Sequence, residues 1–270
     1  MTETVLIVGI SSDIGLSLAN NLVEQGFRVS GTYRRKSTEL KIIESELHNL
    51  FEVDVGNQQS LNLFEQKINE AQSPWDYIIC CPATLEPIGD FLSTDFMTWK
   101  KSFDINLFGP LDIVKRALLR RNNSKELCRV IFFAGGGVNG VTPNLSAYTI
   151  AKIALIKTVE LLESEIKECN FVIVGPGWVR TKIHDEVIMS ADPMTHTYQE
   201  TERRLSEDDF IPMNRVVNYV KRLMTAPSEL IGGRNFSVVQ DDLDNDLLIR
   251  RLADDGDAFK LRRAGNDWQK

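Results

Sequence analysis

The sequence predicts one α/β domain: a doubly wound parallel sheet of about seven strands with helices on both faces. Three observations predict it. Short, continuously apolar runs alternate with longer amphipathic stretches along the chain, the pattern of buried parallel strands joined by crossover helices. No proline-rich linker, repeat or low-complexity segment divides the 270 residues. Composition is ordinary for a globular protein, at 43% hydrophobic and 26% charged residues, and a chain of this length buries a sizeable core without disulfides or a structural metal.

The elements follow in order. Residues 5–8 are a wholly apolar strand, and 14–25 a helix that Gly26 ends. A strand at 27–32, a helix at 37–47, a strand at 50–55 and a helix at 60–71 repeat the unit. Then come a strand at 75–81, one long helix at 95–120, a strand at 129–133, a long helix at 146–167 and a strand at 171–174. A helix near 213–224 and a strand at 236–239 complete the rhythm. Apolar runs of this length bounded by turn residues read as strands, and the longer amphipathic stretches as helices. The domain is expected to span 1–240. Within it, 182–212 is polar and irregular, lies beyond the end of a strand and is expected to act as a substrate lid. The charged tail, 241–270, reads either as a solvated helix with a frayed end or as an oligomer contact.

Charge and cysteine usage exclude other classes. The formal net charge is −7, from 31 basic and 38 acidic residues, which disfavours sequence-independent nucleic-acid binding. Cys80, Cys81, Cys128 and Cys169 form no C-x-x-C, and the three histidines share no ligand spacing, so no metal site is expected. No basic, apolar leader opens the chain, and the longest charge-free stretch, 130–151, is too rich in Gly, Pro and polar residues to span a membrane. A cytoplasmic protein is the expectation.

Chemistry enters at the first strand-to-helix turn, Gly9-Ile10-Ser11-Ser12-Asp13-Ile14-Gly15. Glycines there let the backbone turn sharply and approach a pyrophosphate seated on free helix N–H groups, as in Rossmann-type dinucleotide domains. Asp13 stands where the middle glycine of that pattern would be. After the second strand, Tyr33-Arg34-Arg35-Lys36 carries three bases and no acid. A carboxylate would repel a 2′-phosphate and a guanidinium would bind it, so NADP(H) is favoured over NAD(H). Asp54, followed by Val55, is placed to accept from an adenine amino group. Tyr148 and Lys152 lie one helical turn apart on one face, where an ammonium and an oxidised nicotinamide favour the phenolate and bring the tyrosine towards working range.

The order of these features (Gly-rich turn, Asp54, Asn106, Tyr148 and Lys152, then Pro176-Gly177) resembles the short-chain dehydrogenase/reductase family, in its compact single-domain branch, over residues 4 to about 240. The resemblance implies that Tyr148 is the general acid/base. It implies that Lys152 holds the nicotinamide ribose and lowers the tyrosine pKa, and that Asn106 maintains a proton relay. Pro176, Gly177, Val179 and Thr181 match the family's cofactor-contacting run, with Trp178 near the nicotinamide. Cys81-Pro82-Ala83 stands where the family has Asn-Ala-Gly. The family's catalytic serine would fall in 133–137, where Gly135 and Gly136 offer no hydroxyl; losing such a donor costs about 2.7–4 kcal/mol of transition-state stabilisation. Ser146 or Thr142 reaching the site, backbone N–H groups of 135–137, and a protein that binds cofactor without turnover all stand as explanations. The expected activity is hydride transfer between nicotinamide and a carbonyl or secondary alcohol. Similarity to members linked to bacterial surface polysaccharides points to a sugar or nucleotide-sugar substrate. A nucleotide-sugar epimerase or dehydratase, and a non-catalytic NADP(H) sensor, stay open. A homodimer or homotetramer is implied, built on the two long helices.

Overall fold

In a computed structural model, which describes residues 2–71, 74–123 and 127–264, seven strands form one sheet. They are β1 (Thr4–Val8), β2 (Arg28–Tyr33), β3 (Asn49–Glu52), β4 (Tyr77–Cys80), β5 (Cys128–Phe133), β6 (Cys169–Gly175) and β7 (Asn235–Ser237). Their order is β3-β2-β1-β4-β5-β6-β7 and every pairing is parallel. The order reverses between β1 and β4, so a crevice opens at the carboxyl ends of these two strands, where open α/β sheets bind ligands.

The helices are α1 (Asp13–Glu24), α2 (Thr38–Ile43), α3 (Gln58–Ala71), α4 (Phe96–Phe103), α5 (Gly109–Leu118), α6 (Ser146–Glu165), α7 (Ile183–Ser190), α8 (His196–Glu207), α9 (Met213–Thr225), α10 (Ser228–Ile231) and α11 (Asp246–Asp254). Alternation along β1 divides the core. Val5 and Ile7 pack with Leu18 and Leu22 of α1 and Val216 and Val220 of α9. Leu6 and Val8 face the other way, onto Phe64 of α3, Ile113 of α5 and Leu155 of α6. All four β1 side chains are fully buried, as the apolar run requires of a central parallel strand.

Three regions depart from the sequence expectation. The helix expected at 95–120 runs over 96–118 and carries a π turn, Asp104–Phe108, between α4 and α5. Gly109 closes that turn where its missing Cβ would overlap the Val55 carbonyl, so the extra residue lets the helix pass the loop after β3. The stretch 182–212 is not irregular but holds α7 and α8. Ion pairs build α8: Arg204 to Glu200 at 2.7 Å, Arg203 to Glu200 at 3.0 Å, and Arg203 to Glu207. Such i,i+3 and i,i+4 pairs stabilise a helix without apolar periodicity. The tail is packed rather than frayed as far as residue 264. The buried Arg234 guanidinium donates to the carbonyls of Leu252, Asp255 and Ala258, and Asn235 N–H donates to the Phe259 carbonyl at 2.9 Å. Residues 265–270 of the tail lie outside the described residues. Among the described residues, no helix is long and apolar enough to cross a membrane.

Candidate active site

A cleft of about 1440 Å³ lies over the carboxyl ends of the central strands. Its nucleotide end is the turn after β1. Gly9 has φ +75°, and a Cβ there would sit 3.1 Å from the Pro82 ring. Gly9 N–H donates to the Thr32 hydroxyl at 3.1 Å, and Ser12 caps α1 by accepting from Gly15 N–H at 3.1 Å. Gly15 is itself buried, because a Cβ would sit 2.5 Å from the Gly9 carbonyl oxygen; it shapes the turn without lining the cleft. Ser11, Ser12 and Ile14 do line it, beside the positive end of the α1 dipole. Asp13 is not the cap. It spans the cleft mouth instead, accepting from Lys182 N–H at 2.7 Å and pairing with Lys182 Nζ at 3.5 Å.

Beyond β2, the three bases separate. Tyr33 and Arg34 line the cleft and Arg35 does not. Lys36 is drawn away to Glu44 at 2.6 Å and lies 5.4 Å from the Tyr33 ring centroid. Asp54 Oδ1 accepts from Gly56 N–H at 3.0 Å, fixing the turn after β3 so that Asp54 and Val55 face the cleft. Cys81, Pro82 and Ala83 form the floor after β4. Burial pushes the Cys81 thiol up to about 12, so it stays protonated and unreactive.

At the other end, α6 brings Tyr148 and Lys152 together. Lys152 is buried, its Nζ donates to the Phe133 carbonyl at 3.2 Å, and it lies 5.9 Å from the Tyr148 ring centroid. Desolvation lowers Lys152 to about 8, opposed by Cys80 and Cys81. Desolvation, with the charge of Glu186 adding to it, raises Tyr148 to about 12. Burial therefore outweighs the help expected from Lys152, and at neutral pH Tyr148 is a phenol able to donate a proton. Asn106, in the π turn, is fully buried and outside the cleft. Its Nδ2 donates to the Thr84 carbonyl at 2.9 Å and the Ser102 carbonyl at 3.0 Å, and its Oδ1 accepts from Thr84 N–H at 3.1 Å. It thereby fixes the loop after β4.

Gly135 and Gly136 line the cleft, and a Cβ on Gly135 would lie 2.6 Å from Tyr148 Cζ and nearer still to the hydroxyl. A serine there is incompatible with this position of the phenol. Ser146 is set apart: its hydroxyl accepts from Trp99 Nε1–H at 3.0 Å and it does not line the cleft. Thr142 does line it. From the loop after β6, Pro176, Gly177, Val179 and Thr181 face the cleft. So does Trp178, which stacks on His184 at 5.1 Å and lies under Arg204 at 4.6 Å. Sequence reasoning missed Thr84 and Glu186, which belong to no motif. The one available signal for Glu186 was its place beside Val187 in the segment expected to be a lid.

Comparison with known proteins gives the family and the fold. The pattern described as short chain dehydrogenase matches residues 3–191. A 3-amino-tetrahydro-pyrrolizinone reductase of Xenorhabdus hominickii is 27% identical over 220 residues, covering 77% of this chain and 73% of that one. A benzil reductase ((S)-benzoin forming) of Saccharomyces cerevisiae is 24% identical over 215 residues, 75% of this chain and 81% of that one. Among solved structures, a short chain dehydrogenase/reductase of Saccharomyces cerevisiae superposes with TM-score 0.79 at 20% identity, covering 96% of this chain and all 100% of that one. An actinorhodin polyketide ketoreductase crystallised with NADPH gives 0.76 at 19% identity, covering 88% of this chain and 95% of that one.

Proposed function

Because the chain belongs to the short chain dehydrogenase family, and is thus a nicotinamide-dependent oxidoreductase, we propose that it reduces a carbonyl compound using NADPH, with Tyr148 as proton donor. One observation carries the reading: the Tyr148 phenol stands on the wall of a cleft, one helical turn from the buried Lys152 on α6. The names of the two relatives above, both reductases, support reduction as the direction.

The residues fit a dinucleotide. The left-handed turn at Gly9 brings Ser11, Ser12 and Ile14 to the cleft at the N-terminus of α1, where a phosphate would meet the helix amides. Arg34 faces the cleft with no carboxylate beside it in the run after β2, which supports NADPH over NADH. When bound, the reduced nicotinamide supplies a hydride to the carbonyl carbon. Tyr148 gives its hydroxyl proton to the carbonyl oxygen, so hydride plus proton yields the secondary alcohol. Lys152, lowered to about 8, is close enough to neutrality to return a proton to Tyr148 from solvent. Asn106 acts through the backbone of Thr84, keeping the floor of the site in place. Since position 135 has no hydroxyl, the Thr142 hydroxyl and the backbone N–H groups of 136–137 are the donors left to orient the carbonyl. The reading includes a homodimer or homotetramer, supported by Phe96 and Met97 of α4 and Phe108 of the π turn, which stay exposed. It includes a cytoplasmic setting, supported by four free thiols.

Fluorescence titration and a carbonyl panel read by NADPH oxidation test it. NADPH is expected to bind at least about tenfold tighter than NADH, the worth of one charge-assisted phosphate contact, and Arg34→Ala to erase the difference. Equal affinities would overturn the cofactor assignment. Tight NADPH binding with no carbonyl reduced would favour a sensor.

A further inference from the structure

Glu186 is a charged group of the cleft that the catalytic and cofactor motifs leave without a role. It lies on α7, partly buried, with its side chain on the cleft wall. Oε2 accepts from Leu85 N–H at 2.7 Å and from the Thr84 hydroxyl at 3.1 Å, and Oε1 has no hydrogen bond among the described residues. Thr84 is in turn clamped by Asn106 through both its backbone groups. The carboxylate is therefore mounted on a fixed frame, and one of its oxygens is left for a ligand.

The other charges near this end are spent or distant. Lys152 is buried and bonded to the Phe133 carbonyl. Glu200 is taken by Arg203 and Arg204, and Lys182 by Asp13. Glu86, Lys101 and His196 are exposed at the rim, and Arg34 lies on the β2 side of the cleft; the charges of Glu86 and Arg34 reach Glu186 without a direct contact and act on it in opposite senses. No ion pair reaches Glu186 among the described residues; burial raises its pKa, Glu86 adds to the shift, and the Leu85 and Thr84 hydrogen bonds and the charge of Arg34 oppose it without reversing it. This marks a carboxylate with no directly bonded cationic partner and with its desolvation only partly offset. A ligand ammonium would supply that partner, and a ligand carboxylate would meet like charge in a half-desolvated cleft.

We propose that Glu186 sets the charge class of the substrate: the cleft takes a carbonyl compound bearing a protonated amine, whose N–H groups pair with Oε1, and rejects the corresponding carboxylate. This rests on the reading of Tyr148 as proton donor to a carbonyl.

The test compares para-acetylbenzylamine, para-acetylbenzyl alcohol and para-acetylbenzoate as ketones of one shape and three charges, with NADPH, in the unaltered protein and in Glu186→Gln. The unaltered protein is expected to rank amine, alcohol, carboxylate in falling kcat/KM, with about tenfold between the first two, the factor that about 1.4 kcal/mol provides. Glu186→Gln, which keeps an acceptor for Leu85 and Thr84, is expected to bring that ratio close to one. A retained ratio, or a carboxylate reduced as well as the amine, overturns the inference. The order is also read without turnover, from the thermal shifts that para-methylbenzylamine and para-toluate give to the NADP⁺ complex of the unaltered protein. A larger shift from the amine supports the inference even if Glu186→Gln fails to fold, and equal shifts overturn it. Turnover of all three ketones at similar rates, abolished by Tyr148→Phe, sinks this inference and leaves the reductase reading intact. No turnover of any ketone sinks the reductase reading, and the thermal shifts then still decide the charge class.

Discussion

Two glycine-bearing turns stand at strand ends in the cleft, and they are glycine for different reasons. After β1, Gly9 takes a left-handed backbone and Gly15 packs on the Gly9 carbonyl. Backbone conformation at Gly9 and close packing on Pro82 and the Gly9 carbonyl exclude side chains there. After β5, Gly135 needs no left-handed φ. Its missing Cβ is the space occupied by the Tyr148 phenol. The first turn is glycine for its left-handed backbone and close main-chain packing, and the second leaves space for a side chain of the chain's own. The hydroxyl that resemblance places at 135 is absent, and the Tyr148 phenol lies where its Cβ would be.

The most severe way to break that contrast is Gly135→Ser. Although it restores a hydroxyl, the added Cβ must displace Tyr148, and a misplacement of about 1 Å at a reacting group costs about a hundredfold in rate. We expect kcat to fall by that factor; a rise would show that the glycine is an ordinary loss. Gly9→Ala sharpens the other side. A left-handed alanine costs about 1–2 kcal/mol, and the Pro82 contact at 3.1 Å adds to it. The Kd for NADPH is expected to rise about tenfold, and isothermal titration checks it.

A smaller effect tests the electrostatics of the phenol's neighbour. Lys152 is lowered to about 8 from an ordinary 10.5, so between those values the unfolded chain holds a proton that the folded chain has released. Stability from this group therefore rises with pH across that window, and below it the buried ammonium is a cost. Lys152→Met is expected to melt higher than the unaltered protein at pH 7, with the gap narrowing from pH 8 upward. A gap independent of pH would contradict the assignment.

Much of the fold was legible because buried parallel strands are apolar runs; β1 and β5 lie where such runs predict them. The turn after β1 was legible as well, since the left-handed Gly9 and the Ser12 cap are local backbone features, and Arg34 lies on the cleft where the strand end places it. The illegible parts depend on tertiary packing. Nothing in 95–120 announces a π turn, whose cause is the approach of Gly109 to Val55. Helix α8 escaped the search for apolar periodicity because its turns are tied by Glu200, Arg203 and Arg204, and it buries only Thr197 and Thr201. Ser146 and Thr142 could not be separated by sequence, because only folding shows that Trp99 occupies the serine hydroxyl. Glu186 is a lone carboxylate whose meaning arises from Leu85 and Thr84, about a hundred residues away in the chain.

The central claim is that the phenol of Tyr148 donates the proton in carbonyl reduction. Its most direct test is kcat for Tyr148→Phe at saturating NADPH, with the Kd for NADPH measured alongside. Loss of a general acid predicts a fall in kcat of about a hundred- to ten-thousandfold, with cofactor binding retained. Full reductase activity in that variant would contradict the account.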